Sequence, residues 1–172
     1  TERHAAPGLF VSFLYNQSGA LVKWFRDTFA AADKRLAAEA GRNIYDALMA
    51  ELPPGPSRVM ALPHFTATGP PEFTAESSGV LAGLRLDTTR GEVLKGLMEG
   101  ATFYIKVLAD GLARTGVEVA DFRAAGGGSR ADAWVQLSAD ILGRPFRRPA
   151  VTEAGTLGAA ILAGTAAGIF SS

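Results

Sequence analysis

Between residues 93 and 112, apolar side chains recur at helical spacing almost without interruption: Val93, Leu97, Ala101, Ile105, Leu108 and Leu112. The spacing predicts one long helix, and an apolar stripe of that length has to be covered by other layers of the same chain. The ends are marked as well. Asp87-Thr88-Thr89 supplies a helix N-cap with Glu92 in the first turn, and Gly116 stands where a C′ glycine ends a helix. Glu99 interrupts the stripe beside Gly100, which predicts a buried or cleft-edge hydrogen bond for its carboxylate.

Helical and strand-like patterns alternate on both sides of that helix, as in α/β domains. Residues 9–15 read as a short strand or an extended entry. From Ser18, Leu21, Trp24, Phe25 and Phe29 share one helical face, with Trp24 expected in the core. Residues 33–52 continue helically, broken or bent near Gly41, and stop before Pro53-Pro54. Residues 58–65 read as a buried strand and 66–79 as an ordered loop rich in Thr, Ser, Gly and Pro. Residues 122–125 form a strand that runs into Gly126-Gly127-Gly128. Ser129 then caps a helix whose apolar face includes Trp134, Leu137 and Ile141, and Asp140 sits late in it as a structural hydrogen-bonding group. Residues 144–149 are extended, and an Ala/Gly helix closes the chain from Ala154.

Several function classes are excluded by composition. With 172 residues and 48% hydrophobic content the chain is one globular domain's worth. Lys plus Arg equals Asp plus Glu, 17 against 17, so no basic field draws nucleic acid or an anionic membrane, and Arg144, Arg147 and Arg148 are too short a cluster to change that. The absence of cysteine removes disulfides, thiolate nucleophiles and zinc–thiolate sites. His4 and His64 lie far apart, and His64, between Pro63 and Phe65, reads as a structural histidine. Residues 154–170 carry no charge, yet they are short for a bilayer and mostly Ala, Gly and Thr, so a buried helix of a soluble, cytoplasmic protein is expected.

Strand, three glycines, serine, helix is an arrangement that makes an anion site. Glycine lets the backbone turn sharply and approach a ligand, and the helix start offers unpaired N–H groups. Ser129 and Arg130 stand where a hydroxyl and a cation reach a bound nucleotide. A turn that only lets two elements pack closely is the equal alternative at this point. The run is not a P-loop, because no Gly-Lys-Ser/Thr follows, and it lacks the third glycine of the dinucleotide fingerprint.

In order, four segments resemble motifs of the FGGY carbohydrate kinases. They are residues 15–27 with Ser18-Gly19-Ala20 and Trp24-Phe25-Arg26-Asp27; Leu97-Met98-Glu99-Gly100-Ala101; Ala124-Ala125-Gly126-Gly127-Gly128-Ser129 with Ala139-Asp140-Ile141-Leu142-Gly143-Arg144-Pro145; and Glu153-Ala154-Gly155-Thr156-Leu157-Gly158-Ala159-Ala160. The resemblance implies a ribonuclease H-like, actin-like ATPase fold with a mixed sheet flanked by helices. Residues 1–172 would form a single partial domain, truncated, on the C-terminal, nucleotide side. It also implies ATP and Mg²⁺, with transfer of a phosphoryl group to a sugar or polyol hydroxyl. By the same resemblance Gly126, Gly127, Gly128, Ser129, Arg130 and Asp132 bind the nucleotide, and Gly19 and Lys23 line its pocket. Gly19 as a packing glycine and Lys23 as a solvated lysine stay open beside those roles.

The resemblance places the catalytic aspartate and the sugar pocket in an N-terminal half without counterpart here, so no catalytic residue and no metal ligand is assigned. The chain alone is expected to phosphorylate no sugar. Its uncovered sheet edge predicts self-association, as a homo-oligomer. Many relatives read Gly-Glu-Arg-x-Pro where this chain has Thr66-Ala67-Thr68-Gly69-Pro70, which leaves glycerol, xylulose, ribulose and gluconate all open as substrates. A nucleotide-dependent switch of the actin and heat-shock ATPase fold, or a non-catalytic remnant of a kinase, are the rival readings. The match at residues 139–143 favours the kinase.

Overall fold

The computed structural model describes residues 2–4, 6, 8–69 and 73–171. The long stripe forms α4 (Arg90–Ala113), and its start is a full capping box: the Thr89 side chain accepts from the Glu92 N–H, and the Glu92 carboxylate accepts from the Thr89 N–H. The first half of α4 is buried on nearly every side, with Leu94, Leu97, Met98 and Ala101 at 1% exposure or less. Beyond Thr102 only one face is covered. Phe103 and Val107 are exposed while Leu108 is buried.

Three layers produce that burial. α1 (Ser18–Phe29) lays Leu21, Val22 and Phe25 on α4. On another side lies β3 (Met60–Leu62), paired antiparallel with β4 (Val80–Ala82). The backbone of β3 sits directly on the helix because α4 has glycine there: a Cβ at Gly96 would overlap the Val59 carbonyl, and one at Gly100 the Ala61 carbonyl. α5 (Asp132–Leu142) covers a third side with Leu137. Two short helices, α2 (Ala31–Glu39) and α3 (Ile44–Ala50), wrap the α1 end. Arg90 ties them to α4 by ion pairs to Asp33 and Glu51.

The α/β class and the order of elements follow the sequence. The strands, however, form three separate two-stranded ladders: β1 (Glu2–Arg3) with β2 (Phe10–Val11), β3 with β4, and the parallel pair β5 (Phe122–Arg123) and β6 (Phe146–Arg147). Several local expectations need correction. The strand read over 9–15 is limited to Phe10–Val11. The break expected near Gly41, by contrast, is present: it separates α2 from α3, where Gly41 takes φ 61° and Asn43 caps α3 by accepting from the Tyr45 N–H. The strand read over 58–65 is three residues long, with Ala61 alone turned inward. Trp24 is 37% exposed rather than core; its ring packs edge-on against Phe29 and tilted on Phe65. The closing helix α6 (Ala154–Ala166) is not buried: Gly164 is its only buried residue. No helix among the described residues is long and apolar enough to cross a membrane.

The loop over residues 66–79 is ordered by its own hydrogen bonds, with Pro70, Pro71 and Glu72 outside the described residues. The Thr68 N–H donates to the Thr74 carbonyl and the Thr74 N–H to the Thr68 hydroxyl. The side-chain amide of buried Gln17 donates to Thr66, which anchors the loop to the start of α1.

Candidate nucleotide site

After β5 the chain makes a single 3-10 turn, Gly127–Arg130, before α5 begins. Gly126 opens it at φ 79° and ψ −174°, a backbone conformation essentially restricted to glycine. Gly127 has no such constraint, and a Cβ built on it meets nothing within 4 Å. Gly128 sits against the Trp134 ring, 3.4 Å from where its Cβ would be. The three glycines therefore differ: the first is needed for its dihedrals, the second faces open space, and the third packs on an aromatic ring.

Ser129 does not cap α5, contrary to expectation. Its hydroxyl turns back to donate to the Gly126 carbonyl at 2.7 Å, and its N–H bonds the same carbonyl at 3.2 Å. The N-cap of α5 is Ala131, which has no side-chain acceptor to offer. Ser129 is thus a buried brace that closes the turn. Among the described residues, the N–H groups of Gly127 and Gly128 have no intrachain hydrogen-bond partner. They stand free at the mouth of the turn, as first-turn donors do.

The segment after β6 straps this turn from outside. The Ala124 N–H donates to the Arg147 carbonyl, and the Gly126 N–H to the Thr152 carbonyl, both at 2.9 Å. Arg148 Nη1 forms an ion pair with Asp132 Oδ1 at 2.7 Å and donates to the Ser129 carbonyl at 3.3 Å. Arg130 faces Glu153 at 3.6 Å, both well exposed. Arg148 and Thr152 were not among the residues singled out from sequence. The only signal for Arg148 was its place in a basic cluster otherwise dismissed as a patch.

Six of the eight nucleotide residues expected from sequence, Gly126 to Arg130 and Asp132, are thus adjacent in one turn and the helix start behind it. The other two, Gly19 and Lys23, are on α1, both exposed, and a Cβ on Gly19 would also meet open space. No hydrogen bond or ion pair joins them to the turn among the described residues. α1 and α5 both pack on α4, which holds the two groups in one rigid frame.

A cavity of about 930 Å³ lies elsewhere, between α4, α5, β3 and the 52–57 segment, and none of the eight residues lines it. Glu99 does. Both its oxygens accept from the Ser57 N–H at 3.1 Å, the buried hydrogen bond expected of it. Burial pushes its carboxyl above the ordinary range, against the opposing pull of Ser57 and Lys95. Asp140 accepts from Gln136 within α5, and His64 stands edge-on to Tyr104 at 5.1 Å. Glu99 and Asp140 have hydrogen-bond partners, as expected. Among the described residues no three His, Cys, Asp or Glu side chains gather as a metal ligand set.

The comparisons with known proteins agree with this architecture. A family model for the C-terminal domain of the FGGY family of carbohydrate kinases matches residues 2–167. The glycerol kinase of Polaromonas naphthalenivorans is 35% identical over 159 residues, 90% of this chain and 30% of that protein. The gluconate kinase of Lactobacillus acidophilus superposes with a TM-score of 0.69 at 25% identity, over 90% of this chain and 30% of its own. The Plasmodium falciparum glycerol kinase, solved with ADP, shares the fold at a TM-score of 0.67 and 23% identity, over 90% and 29%. The chain therefore spans about a third of the length of the relatives it matches. Its match to the family model runs through every element from β1 to α6, and the chain belongs to the FGGY family of carbohydrate kinases as a C-terminal domain.

Proposed function

We propose that this chain is the nucleotide-binding side of a cytoplasmic, ATP-dependent kinase that phosphorylates a hydroxyl of a sugar or polyol. The observation that carries the reading is the turn at Gly126–Arg130. Behind a glycine-only conformation at Gly126, the N–H groups of Gly127 and Gly128 have no hydrogen-bond partner among the described residues, close to the first turn of α5. Donors of this kind, close to a helix start, suit a phosphate or a nucleotide. When bound, ATP supplies the γ-phosphoryl group; the chain's own residues bind and orient it. In this reading the turn N–H groups hold the nucleotide, and Arg130 and Asp132 lie beside it. Gly19 and Lys23 form the opposite wall on α1. That the P. falciparum protein of the same fold was solved with ADP supports the assignment.

No ligand for Mg²⁺ is assigned to this chain, because its described carboxylates do not converge, and no step is derived through the ion. Relatives at 32–35% identity named glycerol kinase favour glycerol as the first acceptor to test. Membership in the kinase family also weighs against a switch of the actin and heat-shock type.

Gly127→Val tests the site. Because a Cβ at Gly127 has no atom within 4 Å and the backbone there does not require glycine, the variant should keep its melting temperature. Its ATP affinity in the whole protein should fall at least about tenfold, or ~1.4 kcal/mol. Calorimetric titration of ATP and of glycerol on one preparation reads both. An unchanged ATP affinity in the folded variant would remove the nucleotide role from this turn.

A further inference from the structure

We propose that Arg148 is a positioning residue of the nucleotide site, a latch that sets the aim of the glycine turn. The proposal rests on the nucleotide reading above and adds to it a residue outside the glycine motif. Three pieces of chain meet at the Arg148 guanidinium: the 3-10 turn through the Ser129 carbonyl, the first turn of α5 through Asp132, and the segment that leaves β6. One nitrogen, Nη1, donates to the Ser129 carbonyl and pairs with the Asp132 carboxylate, so a single atom links Ser129 to Asp132.

Within the turn itself the fixing contacts are the Ser129 bonds to the Gly126 carbonyl and the bond from the Ala131 N–H to the Gly128 carbonyl. Ser129 is its one buried residue, and Ala131 offers α5 no side-chain cap. Gly127 and Gly128 bring no side chain of their own. Where their N–H groups point depends on the dihedrals of residues 127–131. Those are held at one end by the Gly126–Thr152 hydrogen bond and at the other by Arg148. The bonded pair is solvent-facing, with the Arg148 side chain 45% and that of Asp132 86% exposed. Exposed ion pairs contribute little to global stability. An arginine spanning two elements there acts on geometry more than on folding. The same contact keeps the Asp132 carboxylate beside a cation, so that its negative charge does not face an incoming phosphate uncompensated.

The expected signature separates a latch from a structural arginine. In Arg148→Ala, the hydrogen-bonded amides of Ser129 and Ala131 should exchange with solvent about tenfold faster with no nucleotide present, while the melting temperature stays within a few degrees. ADP affinity by calorimetry should fall about tenfold. Arg148→Lys keeps the charge but not the planar fork, and should recover part of the affinity. Asp132→Asn combined with Arg148→Ala should cost less than the sum of the two single changes, because both act through one contact. If exchange and ADP affinity are unchanged in Arg148→Ala, the latch is wrong while the nucleotide site stands. If the unsubstituted chain takes up no ADP, the nucleotide reading falls and the latch with it.

Discussion

Between α1 and α4 the chain buries Leu21, Val22, Phe25, Leu94, Leu97, Met98 and Ala101 to 3% exposure or less. From β5 to the end of α6, only Ser129, Leu137 and Gly164 are buried among the described residues. The first region is held by apolar packing on a helix notched with glycines. The second is held by the packing of α5 on α4 through Leu137, and beyond α5 by short ladders, carbonyl hydrogen bonds and exposed ion pairs. The candidate site lies in the second. Lightly packed segments open locally at a lower free energy than the core does, and ligand-binding loops are commonly drawn from them. The frame at α4 thus carries stability, and the turn on its flank is left adjustable.

The largest expected effect tests that division directly. Leu97→Ala removes a side chain with no exposed surface and should cost about 3 kcal/mol. Leu157→Ala, on the open face of α6 at 43% exposure, should stay within about 0.5 kcal/mol. Urea unfolding of both variants gives the comparison, and equal losses would show that α6 belongs to the same cooperative core. Gly126→Ala should come next in size. Alanine at φ 79° and ψ −174° is strained by about 1–3 kcal/mol, although no neighbour obstructs the methyl group. A denaturation curve that overlays the unsubstituted one would mean the turn relaxes to another conformation at no cost.

The same division decides what could be read from the sequence. In the core, local signals and tertiary packing point the same way. The stripe of α4, its Thr89–Glu92 capping box and the α1 face with Leu21 and Phe25 were all legible because periodicity and burial coincide there. Outside the core they part. The uncharged Ala/Gly run of α6 reads as a buried helix, but burial requires a covering layer, and periodicity carries no information about one. Ser129 stands where an N-cap serine would, yet a 3-10 turn intervenes and its hydroxyl closes that turn instead. Arg148 was visible only as a charge, since its partners Ser129 and Asp132 are brought to it by the parallel pairing of β5 with β6. The glycine run was found, but its division of labour needed dihedrals: Gly126 alone among the three has a positive φ.

The smallest expected effect sets two carboxylates of α4 against each other. Glu92 is paired with Arg58 Nε at 2.7 Å and closes the capping box, and the Arg58 guanidinium foremost lowers its pKa from 4.5 to about 2. Its contribution is therefore fully present above pH 4.5 and is lost as pH falls toward 2. Glu99, two turns further along, is shifted the other way by burial, so the folded state holds its proton more tightly than the unfolded chain does. Its contribution declines as pH rises above the ordinary carboxylate value of 4.5. Melting temperatures of the parent, Glu92→Gln and Glu99→Gln between pH 2 and pH 7 resolve the signs. Glu92→Gln should be less stable than the parent at neutral pH and converge with it toward pH 2. Glu99→Gln should match or exceed the parent at neutral pH, and lose that relative gain on acidification, since the amide is neutral at every pH and retains an oxygen for the Ser57 N–H. Two variants that track the parent in parallel would show that neither carboxylate changes its proton affinity on folding. The contrast between a paired acid at the helix start and a desolvated one at the cavity edge would then be wrong.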